Sequence, residues 1–96
     1  MDVLVTYDVN TETKEGRRRL RRVAIVCKDF GQRVQYSVFE CNVSAAQFEA
    51  LRARLLDTID QDEDSLRIYR IRAPREESIE CYGLDRYISY DDPLVF

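Results

Sequence analysis

The chain has 96 residues, enough for one domain and too few for a second core. It carries 15 Lys/Arg against 18 Asp/Glu, a net charge of −3, and no histidine, which excludes Ser-His-Asp and Cys-His catalysis, a histidine general base and histidine-ligated metals. Hydrolytic chemistry here must rest on carboxylates with a hard, oxygen-seeking cation such as Mg²⁺ or Mn²⁺, and no apolar run approaches the roughly 18 residues of a membrane span.

The first element is a strand from Asp2 to Asp8. Val3, Val5 and Tyr7 alternate with Leu4, Thr6 and Asp8, and both faces are mostly apolar, so the strand is expected to be central. It ends on a carboxylate, and Asn10-Thr11 and Gly16 break the pattern beyond it. An aspartate at the end of a buried strand is held rigidly yet reaches solvent, as a metal or catalytic site requires; the alternative is an Asp that caps a turn.

A helix is expected from about Glu15 to Phe30, with Leu20, Val23, Ala24 and Cys27 on its apolar face and Gly31 as its stop. It opens with five arginines in six residues: Arg17, Arg18, Arg19, Arg21 and Arg22. Arg17, Arg18, Arg21 and Arg22 lie off the apolar face, as a basic surface beside the Asp8 turn. Residues 1–43 hold eight Lys/Arg against six Asp/Glu, and residues 44–96 seven against twelve, so the basic charge is local. Such a cluster binds phosphates or is simply a solvated helix face. The three cysteines, Cys27, Cys41 and Cys81, form no CxxC pair and signal neither a zinc site nor a disulfide framework; Cys27 and Cys41 read as buried thiols.

Arg33 to Gln35 and Val38 to Val43 read as two antiparallel strands joined by a tight turn at Tyr36-Ser37. Ser44 and Gln47 have the spacing of a capping box for a second helix, about Ala45 to Ile59, with Phe48, Leu51, Leu55 and Ile59 as its stripe. The acidic run Asp57 to Asp64 reads as a solvated turn, lacking the glycine and spacing of a calcium loop. Ser65 to Arg72 is the next strand, closed by Pro74, and Glu80 to Gly83 a short one. The apolar end Leu94-Val95-Phe96 needs something to bury against, such as a partner's sheet edge. The order β, α, β, β, α, β plus a C-terminal strand or arm is that of an α+β, ferredoxin-like βαββαβ domain over residues 1–96.

The first strand Val3-Leu4-Val5-Thr6-Tyr7-Asp8-Val9, the arginine-rich helix, the run Gly31-Gln32-Arg33-Val34-Gln35-Tyr36-Ser37-Val38-Phe39-Glu40-Cys41, the segment Asp64-Ser65-Leu66-Arg67-Ile68-Tyr69 and the ending Asp91-Asp92-Pro93-Leu94-Val95-Phe96 resemble the CRISPR-associated protein two family. That resemblance implies a ferredoxin-like homodimer in which a C-terminal arm, here residues 80–96, is exchanged between chains. It implies a partnership with the CRISPR integrase in spacer acquisition and duplex DNA held on a basic surface. It also implies metal-dependent cleavage of RNA or duplex DNA, with Asp8 as the ligand to Mg²⁺ or Mn²⁺. Tyr7, Arg33, Ser37 and Phe39 match further family motif positions and join Asp8 as candidate catalytic residues.

Three readings follow: a metal-dependent nuclease, a non-catalytic DNA-binding scaffold for the integrase, and a ferredoxin-like regulatory domain with a small ligand at its dimer interface. The arginine cluster favours the first two. Duplex DNA is the expected partner, with single-stranded RNA as a second candidate. The protein is expected to be cytoplasmic, with no secretory signal pattern and no membrane contact.

Overall fold

Strand β1 (Asp2–Asp8) buries Val3, Val5 and Tyr7, leaves Leu4 and Thr6 half-buried and exposes Asp8. This period of two persists through a computed structural model that describes residues 1–88. After β1 come α1 (Lys14–Phe30), β2 (Gly31–Gln35), β3 (Val38–Asn42), α2 (Ala45–Thr58), β4 (Ser65–Ile71) and a single helical turn, α3 (Arg75–Ser78). The four strands form one antiparallel sheet in the order β2-β3-β1-β4, the ferredoxin-like arrangement with β1 inside. Val5 stands between Phe39 of β3 and Ile68 of β4, and Asp8 is opposite Ser65.

The helices cover one face of this sheet. Val23 and Cys27 of α1 and Leu51 and Leu55 of α2 have no exposure and share one core with Val3, Val5, Phe39 and Cys41. The other face carries Leu4, Thr6, Asp8, Val38, Glu40, Arg67, Tyr69 and Ile71. No helix among the described residues is long and apolar enough to cross a membrane.

Local chemistry explains the boundaries. Thr13 caps α1 by accepting from the Gly16 N–H at 3.0 Å, so the helix starts one residue earlier than its apolar stripe suggests. Gly31 ends α1 and begins β2 with an extended backbone; a Cβ there would overlap the Glu40 carbonyl and Cys41. The requirement for glycine is close approach, and β2 therefore starts two residues before Arg33. The Tyr36-Ser37 turn joins β2 to β3 as expected, with a bulge between Arg33 and Gln35. Both bonds of the Ser44–Gln47 capping box are made, at 2.8 and 3.2 Å.

One expectation is corrected. The run Glu80 to Gly83 is not a strand: it joins no ladder, and Gly83 turns it with φ of 78°. The polar stretch after Pro74 holds α3, whose Arg75 ion-pairs with Glu40 at 2.6 Å and lies 3.3 Å from the Tyr87 ring centroid. Gln32 fixes Ile88 at two points, donating to its carbonyl at 2.7 Å and accepting its N–H at 2.9 Å. Residues 79–88 thus run over the β2–β3 half of the open face. The rest of the expected arm, residues 89–96, lies outside the described residues.

Burial pushes the Cys27 thiol up to about 12 and the Cys41 thiol up to about 11. A thiol with a higher pKa folded than unfolded stabilises the fold fully below its unfolded value, near 9, and that contribution is lost as pH rises toward the folded value. The urea midpoint should therefore fall between pH 9 and 11. The double variant Cys27→Ala/Cys41→Ala should start lower at pH 7 and fall less steeply; an equal slope would assign the alkaline loss to other groups.

Candidate functional site

Asp8 is the last residue of β1 and is exposed, while Tyr7 before it and Val9 after it are buried at 6% and 7% exposure. The carboxylate is therefore anchored on both sides by core residues and stands on the open sheet face beside Ser65. Among the described residues no group of three or more acidic or thiol side chains converges as a metal site, and Asp8 is the carboxylate that β1 brings to this point. That does not fit a resident ion on its own, because Mg²⁺ prefers about six oxygens.

Tyr7, Arg33 and Phe39 do come together, but on the opposite side of the sheet. The Tyr7 and Phe39 rings stack with centroids 6.2 Å apart, and the Arg33 guanidinium lies 5.2 Å from the Phe39 centroid. Phe39 has no exposure. As placed, this stack touches nothing bound at Asp8; it packs beneath the strand that carries Asp8. The Tyr7 hydroxyl and Arg33 Nε are buried without a hydrogen-bond partner. Burial raises the Tyr7 pKa, against the opposing pull of Arg33. Ser37 enters through its backbone: its carbonyl accepts the Tyr7 N–H at 3.1 Å, tying the β2–β3 turn to β1 one residue before Asp8.

The arginine cluster divides. Arg18, Arg21 and Arg22 are exposed on the outer side of α1, away from the sheet, with Ile25 (57% exposed) on the same ridge. Arg17 is exposed too, and its Nη1 donates to the Thr11 carbonyl at 3.2 Å, so it alone leans on the loop after Asp8. None of these four is in an ion pair among the described residues. Arg19 departs from the group: it points sideways into an ion pair with Asp64 at 2.9 Å.

Asp64 is the residue that the sequence reading missed. It belongs to the acidic run read as a solvated turn, yet its side chain has 0% exposure. Asn10, read only as a pattern breaker, donates its N–H to Asp64 at 3.0 Å and its amide to Glu63 at 2.7 Å. The available signal is helix phase: position 19 falls at the margin of the apolar face of α1, where a charge needs a partner.

The family model for CRISPR associated protein Cas2 matches residues 1–79. The CRISPR-associated endoribonuclease Cas2 1 of Moorella thermoacetica is 61% identical over 95 residues, covering 99% of each chain. The CRISPR-associated endonuclease Cas2 of Halalkalibacterium halodurans is 47% identical over 96 residues, covering 100% of each. The crystal structure of Streptococcus pyogenes Cas2 superposes with a TM-score of 0.77 at 53% identity, covering 86% of this chain and 100% of that one.

A buried hydroxyl without a partner costs stability, so removing it relieves a desolvation penalty. Tyr7→Phe should leave the urea midpoint unchanged or raise it, by up to about 1–3 kcal/mol of stability. A clear loss would mean that the hydroxyl is bonded in solution, with Arg33 as the nearest candidate.

Proposed function

The chain belongs to the Cas2 family of CRISPR-associated proteins, and on that footing we propose that it is an endonuclease whose phosphodiester chemistry is centred on Asp8. The observation that carries this reading is the exposed Asp8 carboxylate at the end of a strand paired on both edges. Two relatives are named endoribonuclease and endonuclease, which supports RNA or duplex DNA as substrate.

A single carboxylate needs a second chain. The reading therefore includes a homodimer whose two-fold axis brings two Asp8 side chains together. Exposed Tyr69 on the open face, with Tyr82, Leu84 and Ile88 on the overlying segment, supports such a partner surface. Two like charges held close favour a cation, and Mg²⁺ or Mn²⁺ bound there would supply an activated water and neutralise phosphate charge. What this chain contributes is position: β3 and β4 hold β1 from both edges, and Tyr7 and Val9 lock the backbone around the carboxylate.

A second role is favoured by a separate observation. Arg18, Arg21 and Arg22 stand on the helix layer and Asp8 on the opposite sheet face, so one substrate contact does not require the other. We read the arginine ridge as a sequence-independent duplex contact, the scaffold function that a CRISPR integrase partner would use in spacer acquisition.

Parent and Asp8→Ala, prepared identically, should be compared on duplex DNA and single-stranded RNA with Mg²⁺, Mn²⁺ or chelator. Cleavage should require metal and disappear in Asp8→Ala, with duplex binding retained. Equal cleavage by both proteins would overturn the assignment to Asp8. For the ridge, Arg21→Gln should lower the slope of log affinity against log salt by about 0.9, one phosphate contact. An unchanged slope in Arg18→Gln, Arg21→Gln and Arg22→Gln together would exclude the ridge as the duplex site.

A further inference from the structure

The Asp64 carboxylate takes four N–H donors from three separate parts of the chain. Oδ1 accepts from the Asn10 backbone at 3.0 Å and from Arg19 Nη2 at 3.3 Å. Oδ2 accepts from Arg19 Nε at 2.9 Å and from the Asp60 backbone at 2.9 Å. A carboxylate removed from solvent is tolerated only when it is paired and hydrogen-bonded, and bidentate arginine contacts are among the strongest such partners. Burial works against the charge, but the Arg19 bond and the two backbone donors outweigh it and hold the carboxyl below its ordinary range. The group is ionised at neutral pH, and its attachments persist there.

These attachments surround Asp8. Asp64 immediately precedes Ser65, the ladder partner of Asp8. Asn10 follows Asp8 by two residues, with Val9 in the core between them. Asp8 is thus bracketed, on its own strand and on the neighbouring one, by residues fastened to one carboxylate. The Asn10 side chain extends the bracket, accepting from the Glu12 N–H at 2.9 Å and donating to Glu63. From the other side, the first turn of α1 presses on the same loop: a Cβ at Gly16 would overlap the Asn10 carbonyl. Arg19, one turn further along α1, completes the closure.

We infer that the Arg19–Asp64 pair is a clamp that positions Asp8, and that Arg19 serves this clamp rather than nucleic acid. The inference rests on the reading of Asp8 as the carboxylate of the cleavage site. It makes Arg19 and Asp64 positioning residues, acting through the backbone of the loop after Asp8, and leaves the nucleic-acid contacts to the outward arginines.

The test uses the full chain with Arg19→Gln, Arg19→Lys, Asp64→Asn and, as the comparison, Arg21→Gln. Arg19→Gln should bind duplex DNA with the parent's salt slope, while Arg21→Gln loses about 0.9 from it. In cleavage, Arg19→Gln and Asp64→Asn should lower kcat about 10- to 100-fold with KM unchanged, the scale expected when a reacting group is displaced by about 1 Å. Arg19→Lys keeps the charge without the planar fork and should recover part of that loss. Amide exchange separates positioning from general destabilisation: in Arg19→Gln the Asn10 amide should exchange at least about tenfold faster while Val5, in the middle of β1, keeps its protection. A salt slope reduced as in Arg21→Gln, parent-like kcat, or equal acceleration at Asn10 and Val5 would each overturn the clamp. Absence of Asp8-dependent cleavage by the parent would overturn the nuclease reading alone, and the slope and exchange results would still decide whether the clamp exists.

Discussion

Backbone N–H and C=O groups that leave water must find partners, and β1 meets that demand on both edges, through β3 on one side and β4 on the other. A one-residue slip of such a strand would carry Val3, Val5 and Tyr7 out of the core and put Leu4, Thr6 and Asp8 in their place. The register is therefore fixed by the core as a whole. Asp8 inherits that rigidity without being buried, because it is the last residue of the ladder and faces away from the helices. Few positions in a small domain combine a fixed backbone with an open carboxylate.

The same alternation separates the motif residues by layer. Tyr7, Arg33 and Phe39 pack beneath the sheet, and Asp8 stands above it. Their influence on Asp8 runs through the strand: the stack sets where β1 lies, and Ser37 holds the β2–β3 turn against it through the Tyr7 N–H. A stack on one face can thus fix the backbone that carries a residue on the other. Proximity in sequence, Tyr7 beside Asp8, marks opposite directions in a strand and not a shared pocket.

Most of the architecture is legible in the sequence because its signals are local. The stripe of α1, the Ser44–Gln47 box and the Tyr36-Ser37 turn each depend on residues within a few positions of one another. Asp8 is legible for the same reason, as a carboxylate closing an apolar strand. Asp64 is not. It stands in a run of acids, and its burial comes from Arg19 and Asn10, 45 and 54 residues away. A carboxylate that will be desolvated looks like one that will be solvated until its distant donors are known. The turn α3 is hidden for another reason: four residues cannot display a helical period, and Arg75 is held by Glu40 of β3 rather than by its own helix.

The arginines of α1 divide between a buried ion pair and an exposed ridge. Arg18 to Arg22 lie beyond the first turn of α1, where the helix dipole no longer acts on them, and the first turn itself carries an acid, Glu15. Among them, Arg19 is ion-paired with the buried Asp64 side chain. Arg18, Arg21 and Arg22 are exposed and make no ion pair among the described residues. In the proposed scaffold role, a polyanion backbone would meet this ridge with charge at regular spacing. Because the ridge and Asp8 lie on different layers, that backbone can be bound without approaching the carboxylate. Under the proposed function, binding at the ridge and cleavage at Asp8 would therefore be separable, and cleavage would need a strand to reach the open face.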